Sequence, residues 1–406
     1  MYFQIIDPKF NCPSVFFDGK IVKNPSYGLM CRTWSYHPSF AGKTFELAQI
    51  LANGKNLEEC CPEHLKEKWN EVKTLHSSFE KSFKESKLNL KDHCFYDLVP
   101  ESFVESYFGI KNEITQHVFE TIPKQLNYEF LSDLNELIDE IYRKRLNINI
   151  RFLDKSLHDI RAINLKKKLN QLEPRIKYNL FGTITGRLTT KKNSFPILTL
   201  DKKFRGLLEA NNSWFVELDF NGAELRTFLA LNGIPQPKND LHEWHRGLNN
   251  QTFSEDIDRN EMKKKFFAWL YSGKNELFGV PEIDKAYDRQ SILDKFWDGD
   301  FVKTPYDREI ATDERKAVNT VIQSTTADTF FRRVIEVNRY LKKHNLKSFI
   351  AMMIHDSMII DMDRYDKHHL SEIIKIFSDT EFGKFLTTVK IGKNLGDMEP
   401  YPVKVL

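Results

Sequence analysis

The sequence predicts an α+β fold, and two kinds of observation carry that expectation. Strand signals collect at Trp214 to Asp219 and in Ala351-Met352-Met353-Ile354-His355-Asp356-Ser357-Met358-Ile359-Ile360, the second of which reads as an apolar hairpin. Stretches with apolar residues at helical spacing surround them; Phe130, Leu131, Leu134, Leu137, Ile138, Ile141 and Tyr142 form one such stripe. At 406 residues the chain is long enough for two or three domains, and 41% hydrophobic with 13% aromatic content fits a folded soluble protein.

In chain order, residues 1–120 read as a separate N-terminal region. Tyr2 to Val22, with Asp18-Gly19 as a turn signal, predicts a hairpin, and Glu46 to Ala52 and Pro62 to Lys87 predict helices. Helices over Tyr128 to Arg145 and Ser156 to Leu172 follow, the second very basic. Asn179 to Thr190 is β-prone and punctuated by glycines, and helical signals take over from Gly222 to Leu231. Asp240 to Asn249 predicts a short helix; Ser254, Asp256 or Asp258 then caps a helix running to Tyr271, with Gly273 as its stop signal. A Pro-, Gly- and Asp-rich connector, Gly279 to Thr312, leads to a helix from Asp313 to His344. Beyond the apolar hairpin, a helix from His368 to Phe382 and an irregular tail complete the chain.

The net charge of +3 comes from many mixed charges and names no partner by itself. Its distribution is more telling: from Arg143 to Arg205 there are seventeen Lys or Arg against four Asp or Glu, the local excess expected of a surface that tracks phosphates. The five cysteines all fall in the first quarter, without a CxxC pair, which points to a reducing compartment. Cys60, Cys61, His64, His93 and Cys94 match no common zinc spacing, so free thiols are expected. No basic leader with a long apolar core opens the chain and no run of about 18 apolar residues occurs, so a cytoplasmic protein without membrane contact is expected.

Chemistry concentrates in three places. Asp219 and Asp356 each emerge from an apolar run, where an ionised carboxylate is costly unless compensated and two together repel each other; divalent cations resolve both problems. Between them in sequence, Arg259, Lys263, Phe267 and Tyr271 are spaced by four and share one slowly drifting helix face. Two cations followed by two aromatics can hold phosphates at one end and stack on a base at the other. The combination suits nucleotidyl transfer at a two-metal centre.

These residues resemble the motifs of the family A, or DNA polymerase I-like, DNA polymerases. The helix is similar to the Arg-x3-Lys-x3-Phe-x3-Tyr-Gly fingers helix, with Ser272 in the glycine position. Asp219-Phe220-Asn221-Gly222-Ala223-Glu224-Leu225-Arg226 resembles Asp-Tyr-Ser-Gln-Ile-Glu-Leu-Arg, and His355-Asp356-Ser357 resembles the His-Asp-Glu hairpin. Asp240-Leu241-His242 is similar to the Asp-x-His element, Thr183 to Leu188 to the Thr-x-Thr-Gly-Arg-Leu element, and Arg315 to Asp328 to the Arg-x-Ala-x-Asn-x3-Gln helix. All six lie in family order.

The resemblance implies that Asp219, Asp356 and the Phe220 carbonyl hold two Mg2+ ions, for which Mn2+ can substitute. It implies that Arg259, Lys263 and His242 grip a deoxynucleoside triphosphate, with Lys263 also protonating the leaving pyrophosphate. Phe267 then stacks by the nascent pair, Tyr271 guards the template and Glu224 excludes a ribose 2′-hydroxyl. Arg187 and His355 meet the primer, and Arg315, Asn319 and Gln323 contact the DNA, the last two in its minor groove. Ser357 departs from the family pattern and cannot supply the usual carboxylate.

The implied architecture is a right-hand polymerase: thumb 121–178, palm 179–235 and 316–406, fingers 236–315. Its expected partners are primer-template DNA and dNTPs, and a monomer is expected. The region 1–120 lacks an Asp-x-Glu pair, so no proofreading is expected there; a degenerate exonuclease, or a module for a processivity or replisome partner, fits that position. The short core suggests a reduced, bacteriophage origin, and then the host cytosol as its location. Two alternatives stay open: a single-subunit RNA polymerase-like enzyme, whose hairpin often reads His-Asp-Ser, and an inactive polymerase homologue that only binds DNA.

Overall fold

The computed structural model describes residues 1–7, 14–37, 40, 43–90, 92–254, 256–270, 272 and 277–402. The chain forms two compact units, 1–136 and 137–406.

The first unit opens with an antiparallel sheet of Phe3–Ile5, Val15–Phe17 and Lys20–Val22. The expected turn is there: Asp18 and Gly19 take φ of 51° and 72°, the left-handed pair that a tight two-residue hairpin loop requires. A parallel bridge from Tyr2 to Arg32 leads on to Arg32–Thr33, which pairs in parallel with Glu46–Leu47. The helix expected over Glu46 to Ala52 is therefore a strand followed by one short turn, Ala48–Leu51. Phe3, Phe40 and Phe45 pack ring against ring at the centre of this unit. Lys66–Glu85 is helical as its pattern predicts. A second helix, Glu101–Thr121, was not expected; Gly109 and several β-branched and aromatic residues weaken its propensity, which burial of Phe103, Val104, Phe108, Ile110, Ile114 and Val118 overrides. Cys31, Cys60, Cys61 and Cys94 are free thiols.

The second unit is built on a five-stranded antiparallel sheet in the order Phe349–Ile354, Ser357–Met362, Trp214–Phe220, Thr387–Gly392, Glu399–Pro400. Trp214–Phe220 is the central strand, with Asp219 opposite Ser357 on one side and Thr388 on the other. Helices Ala223–Leu231, Glu314–Lys343 and Leu370–Ser378 pack in this unit. Phe220 stacks on Phe377 at 4.4 Å between ring centres, and Phe330 and Phe385 meet it edge-on. Each such buried ring stabilises the fold by about 1.5–3 kcal/mol.

Four expectations need correction here. The connector Gly279 to Thr312 contains helices Pro281–Ala286 and Arg289–Phe296 and the hairpin Phe301–Lys303/Glu309–Ala311; elements this short give no readable period. The basic helix is only Ile160–Leu169, and the late helix only Leu370–Ser378. The tail is not irregular, because Thr387–Gly392 pairs with Phe215–Phe220 of the central strand. Only Val389 of that strand is buried, so its sequence lacks apolar alternation.

Beside the sheet, Leu225, Phe228, Met262, Phe266, Tyr287 and Ile292 form a second apolar core. It joins helices Ala223–Leu231, Arg259–Leu270 and Arg289–Phe296, and so fixes the cationic helix near the sheet that bears Asp219. Among the described residues no helix is long and apolar enough to cross a membrane.

Candidate active site

A cleft of about 560 Å3 opens in the second unit, where the central strand, the aspartate hairpin and the cationic helix converge. Asp219 lies near the end of the central strand. Asp356 sits at the tip of a two-residue turn between Ile354 and Ser357, for which His355 takes a φ of 58°, a left-handed conformation more tolerable to histidine than to branched residues. Both aspartates line the cleft.

Their surroundings disfavour charge. Burial, then Asp356, then Glu217 push Asp219 up to about 7, with Lys390 and Lys202 opposing. Asp356 is raised as well, chiefly by burial, against the pull of its own backbone N–H, His355, Arg187 and Lys263. No side chain of the described residues hydrogen-bonds to either carboxylate. Two partly buried carboxyls, mutually repelling and without a side-chain donor, form a donor set suited to hard divalent cations.

Arg259, Lys263, Phe267 and His242 line the same cleft. Asp258 starts the helix by accepting from the backbone N–H groups of Asn260 and Glu261, so of the three expected caps Asp258 is the one used. Lys263 Nζ lies 5.9 Å from the Phe267 ring centre. Arg259 is held bidentately by Asp240, at 3.0 and 2.6 Å. Burial would raise Asp240, but its hydrogen bonds from Arg259, Asn221 and the Glu243 backbone hold it well below the usual carboxylate range. Burial, then Lys263, push His242 down to about 4, so the ring is neutral at pH 7, and its Nδ1 has no partner. Tyr271 and Gly273 lie outside the described residues.

Glu224, on the first turn of Ala223–Leu231, pairs with Arg187 at the cleft. Burial, then Asp356, push Glu224 up to about 7, whereas direct contact with a guanidinium favours the carboxylate; the contact is the nearer effect, and we read the pair as ionic. Gly222 begins this turn with φ 65°, and a Cβ there would stand 3.2 Å from Leu241 Cδ1. His355 and the Phe220 segment also line the cleft.

Arg315, Asn319 and Gln323 fall along the long helix Glu314–Lys343 but do not line the cleft; Thr326, Ala327, Phe330 and Phe331 do so from the same helix. Asn319 and Gln323 are half-buried and Arg315 is exposed. Three neighbours escaped the sequence reading. Lys390 lines the cleft, Thr388 Oγ1 donates to the Asp219 carbonyl at 3.2 Å, and Glu217 accepts from Ser357 Oγ at 3.0 Å and Lys390 Nζ at 3.1 Å. For Glu217 a signal existed: it lies two residues before Asp219, hence on the same sheet face.

Residues 290–397 match the profile of DNA polymerase family A. The chain is 25% identical over 290 residues to a DNA polymerase of Bacillus phage SP01, covering 54% of this chain and 31% of the relative. It is 21% identical over 274 residues to DNA polymerase I of Chloroflexus aurantiacus, covering 55% and 29% respectively. The chain thus spans less than a third of the length of these two curated relatives. In fold it is similar to the POL domain of Pol1 from M. smegmatis, solved in complex with DNA primer-template and dNTP: the TM-score is 0.61 at 12% identity, over 90% of this chain and 86% of that one. Residues 290–397 thus match the family A DNA polymerases in sequence, and the fold is similar to that of a polymerase domain.

Proposed function

We propose that the chain is a template-directed DNA polymerase that extends a primer 3′-hydroxyl with dNTPs. The observation that carries this reading is the meeting of Asp219 and Asp356 in one cleft with Arg259, Lys263, His242 and Phe267. The polymerase relatives and the solved neighbour support it. Residues 179–235 and 316–406 serve as the palm, 236–315 as the fingers and 121–178 as the thumb.

Asp219, Asp356 and the Phe220 carbonyl would hold two Mg2+ ions, or Mn2+. Bound there, the ions would neutralise the carboxylates and the charge developing on the reacting phosphate. The remaining work falls to side chains. Lys263 and Arg259 draw in the triphosphate, Arg259 exchanging Asp240 for phosphate oxygens, and Lys263 gives a proton to the departing pyrophosphate. Neutral His242 offers a hydrogen bond to the same group. Phe267 stacks on the base, and Glu224, braced by Arg187, closes the space a 2′-hydroxyl would need. His355 meets the primer end, while Arg315, Asn319 and Gln323 follow the duplex. The basic stretch 143–205 supplies phosphate contacts outside the cleft.

The N-terminal region 1–120 is proposed to lack proofreading. What supports this is the lack of an Asp-x-Glu pair in residues 1–120.

Primer extension with Mg2+ tests the reading: dNTPs should be incorporated, and Asp219→Asn should abolish extension while DNA binding persists. Incorporation of NTPs in preference to dNTPs would replace this reading with an RNA polymerase, and DNA binding without extension would replace it with a binding homologue.

A further inference from the structure

The sheet face that carries Asp219 holds a third carboxylate that the mechanism above does not use. Glu217 and Asp219 are two residues apart on the central strand, so their side chains emerge on the same face about 7 Å apart along the strand. Glu217 is 9% exposed, yet it sits in the middle strand of the sheet with its carboxylate tied at both oxygens: Ser357 Oγ donates to one at 3.0 Å and Lys390 Nζ to the other at 3.1 Å. Ser357 is the residue next to Asp356, directly opposite Asp219. Lys390 stands opposite Glu217 and lines the cleft.

The Lys390 side chain of this pair is 45% exposed, and a solvent-screened ion pair is weak grounds for stability. An apolar pair would serve this sheet as well, as Leu218 with Met358 and Val389 does one residue further on. Glu217 does not itself line the cleft, but it stands on the strand face that carries Asp219, beside the residues that do. We infer that Glu217 supports the cation centre from just outside the cleft, one strand over from the hairpin position that Ser357 occupies. It is a positioning residue: its negative charge deepens the field at Asp219 and Asp356, Ser357 fixes its direction, and Lys390 limits the excess charge in the absence of cations. Serine at 357 is then a hydrogen-bond donor that the relocated carboxylate needs rather than a simple loss.

The inference rests on the polymerase reading of the cleft, and the test separates the two. Mn2+ binding to the full chain, without DNA or dNTP, is followed by electron paramagnetic resonance, with thermal melting to verify folding. Asp219→Asn is the control for the centre itself and should remove most binding; if Mn2+ binding survives it unchanged, the cation centre is misassigned. With that control satisfied, Glu217→Gln, which keeps the shape and can still accept from Ser357, should weaken Mn2+ binding about threefold to tenfold, as expected for one charge removed at this range. Glu217→Gln combined with Ser357→Glu should restore it, since the charge returns from the neighbouring strand. Unchanged Mn2+ affinity in folded Glu217→Gln, or failure of the folded double variant to recover, overturns the inference and leaves Glu217 as part of the sheet alone.

Discussion

Replacing Asp219 by asparagine should stabilise the metal-free protein at alkaline pH while removing its activity. The reasoning starts from the site. A carboxyl whose ordinary value is 3.8 is driven to about 7, first by burial and then by Asp356 and Glu217. Ionising it in the fold rather than in the unfolded chain therefore costs up to about 4 kcal/mol, and water reaching the part-exposed side chain reduces that to between about 2 and 4 kcal/mol. The sign follows from linkage. Because the folded value lies above the unfolded one, the native state holds the proton more tightly; below about pH 4 both states carry it and no penalty exists. The penalty grows as pH rises from about 4 to 7 and is complete above 7. Asparagine does not titrate, so the difference between the proteins opens over that same window. For a unit of this size a kcal/mol corresponds to about 2–4 °C, so Asp219→Asn should melt about 5 °C or more above the wild type at pH 8 in a chelator. The gap should be smaller at pH 5.5. Mg2+ should raise the wild-type melting temperature at pH 8 and leave the variant almost unmoved. A variant that melts with or below the wild type at pH 8, or a gap that does not narrow in acid, would refute the claim that these carboxylates are held in an unfavourable, cation-demanding site.

Other perturbations address the rest of the cleft. Glu224→Ala should lower the preference for dNTPs over NTPs by roughly tenfold to hundredfold in kcat/KM, measured by single-nucleotide extension. Lys263→Ala should reduce kcat/KM for dNTPs by about 10² to 10³ while the binding of primer-template, measured by fluorescence anisotropy, stays near the wild type. Away from the cleft, Arg308 grips fully buried Asp328 through two hydrogen bonds of 2.6 and 2.8 Å. Arg308→Ala should cost about 3–5 kcal/mol in urea unfolding, and Arg308→Met with Asp328→Leu should recover much of it.

The parts of the molecule that could be read in the sequence are those where one local signal dominates. The Asp18-Gly19 turn, the hairpin around Asp356 and the long helix Glu314–Lys343 each agree with their pattern, because turn chemistry or a sustained apolar period left no competitor. The cationic helix was legible for another reason: residues at a spacing of four share one face of a helix whatever the neighbours are, and Arg259, Lys263 and Phe267 line the cleft together. Elements governed by tertiary contacts were not legible. Thr387–Gly392 has one buried residue and owes its conformation to pairing with the central strand, and Glu101–Thr121 forms against its own propensity.

The Arg259–Asp240 and Glu217–Lys390 pairs show a further limit, one that lies in how charge is shared. Sequence marks Arg259 as a phosphate ligand, but in the structure its guanidinium is engaged by Asp240, which also caps the helix Leu241–Phe253 and holds Asn221. The proposed triphosphate binding at Arg259 would therefore compete with an interaction that anchors His242 and the segment following Asp219, and would couple nucleotide affinity to the geometry of the proposed cation centre. Sequence likewise marks Ser357 as a loss of charge, since the replacement is visible and its compensation is not. The compensation lies on another strand, in a residue whose alternation with Leu218 looked like ordinary sheet patterning. A motif read along the chain registers which residue stands at each position, whereas the electrostatics of a sheet face depend on which residues stand side by side across strands, and these differ most where a family pattern is broken.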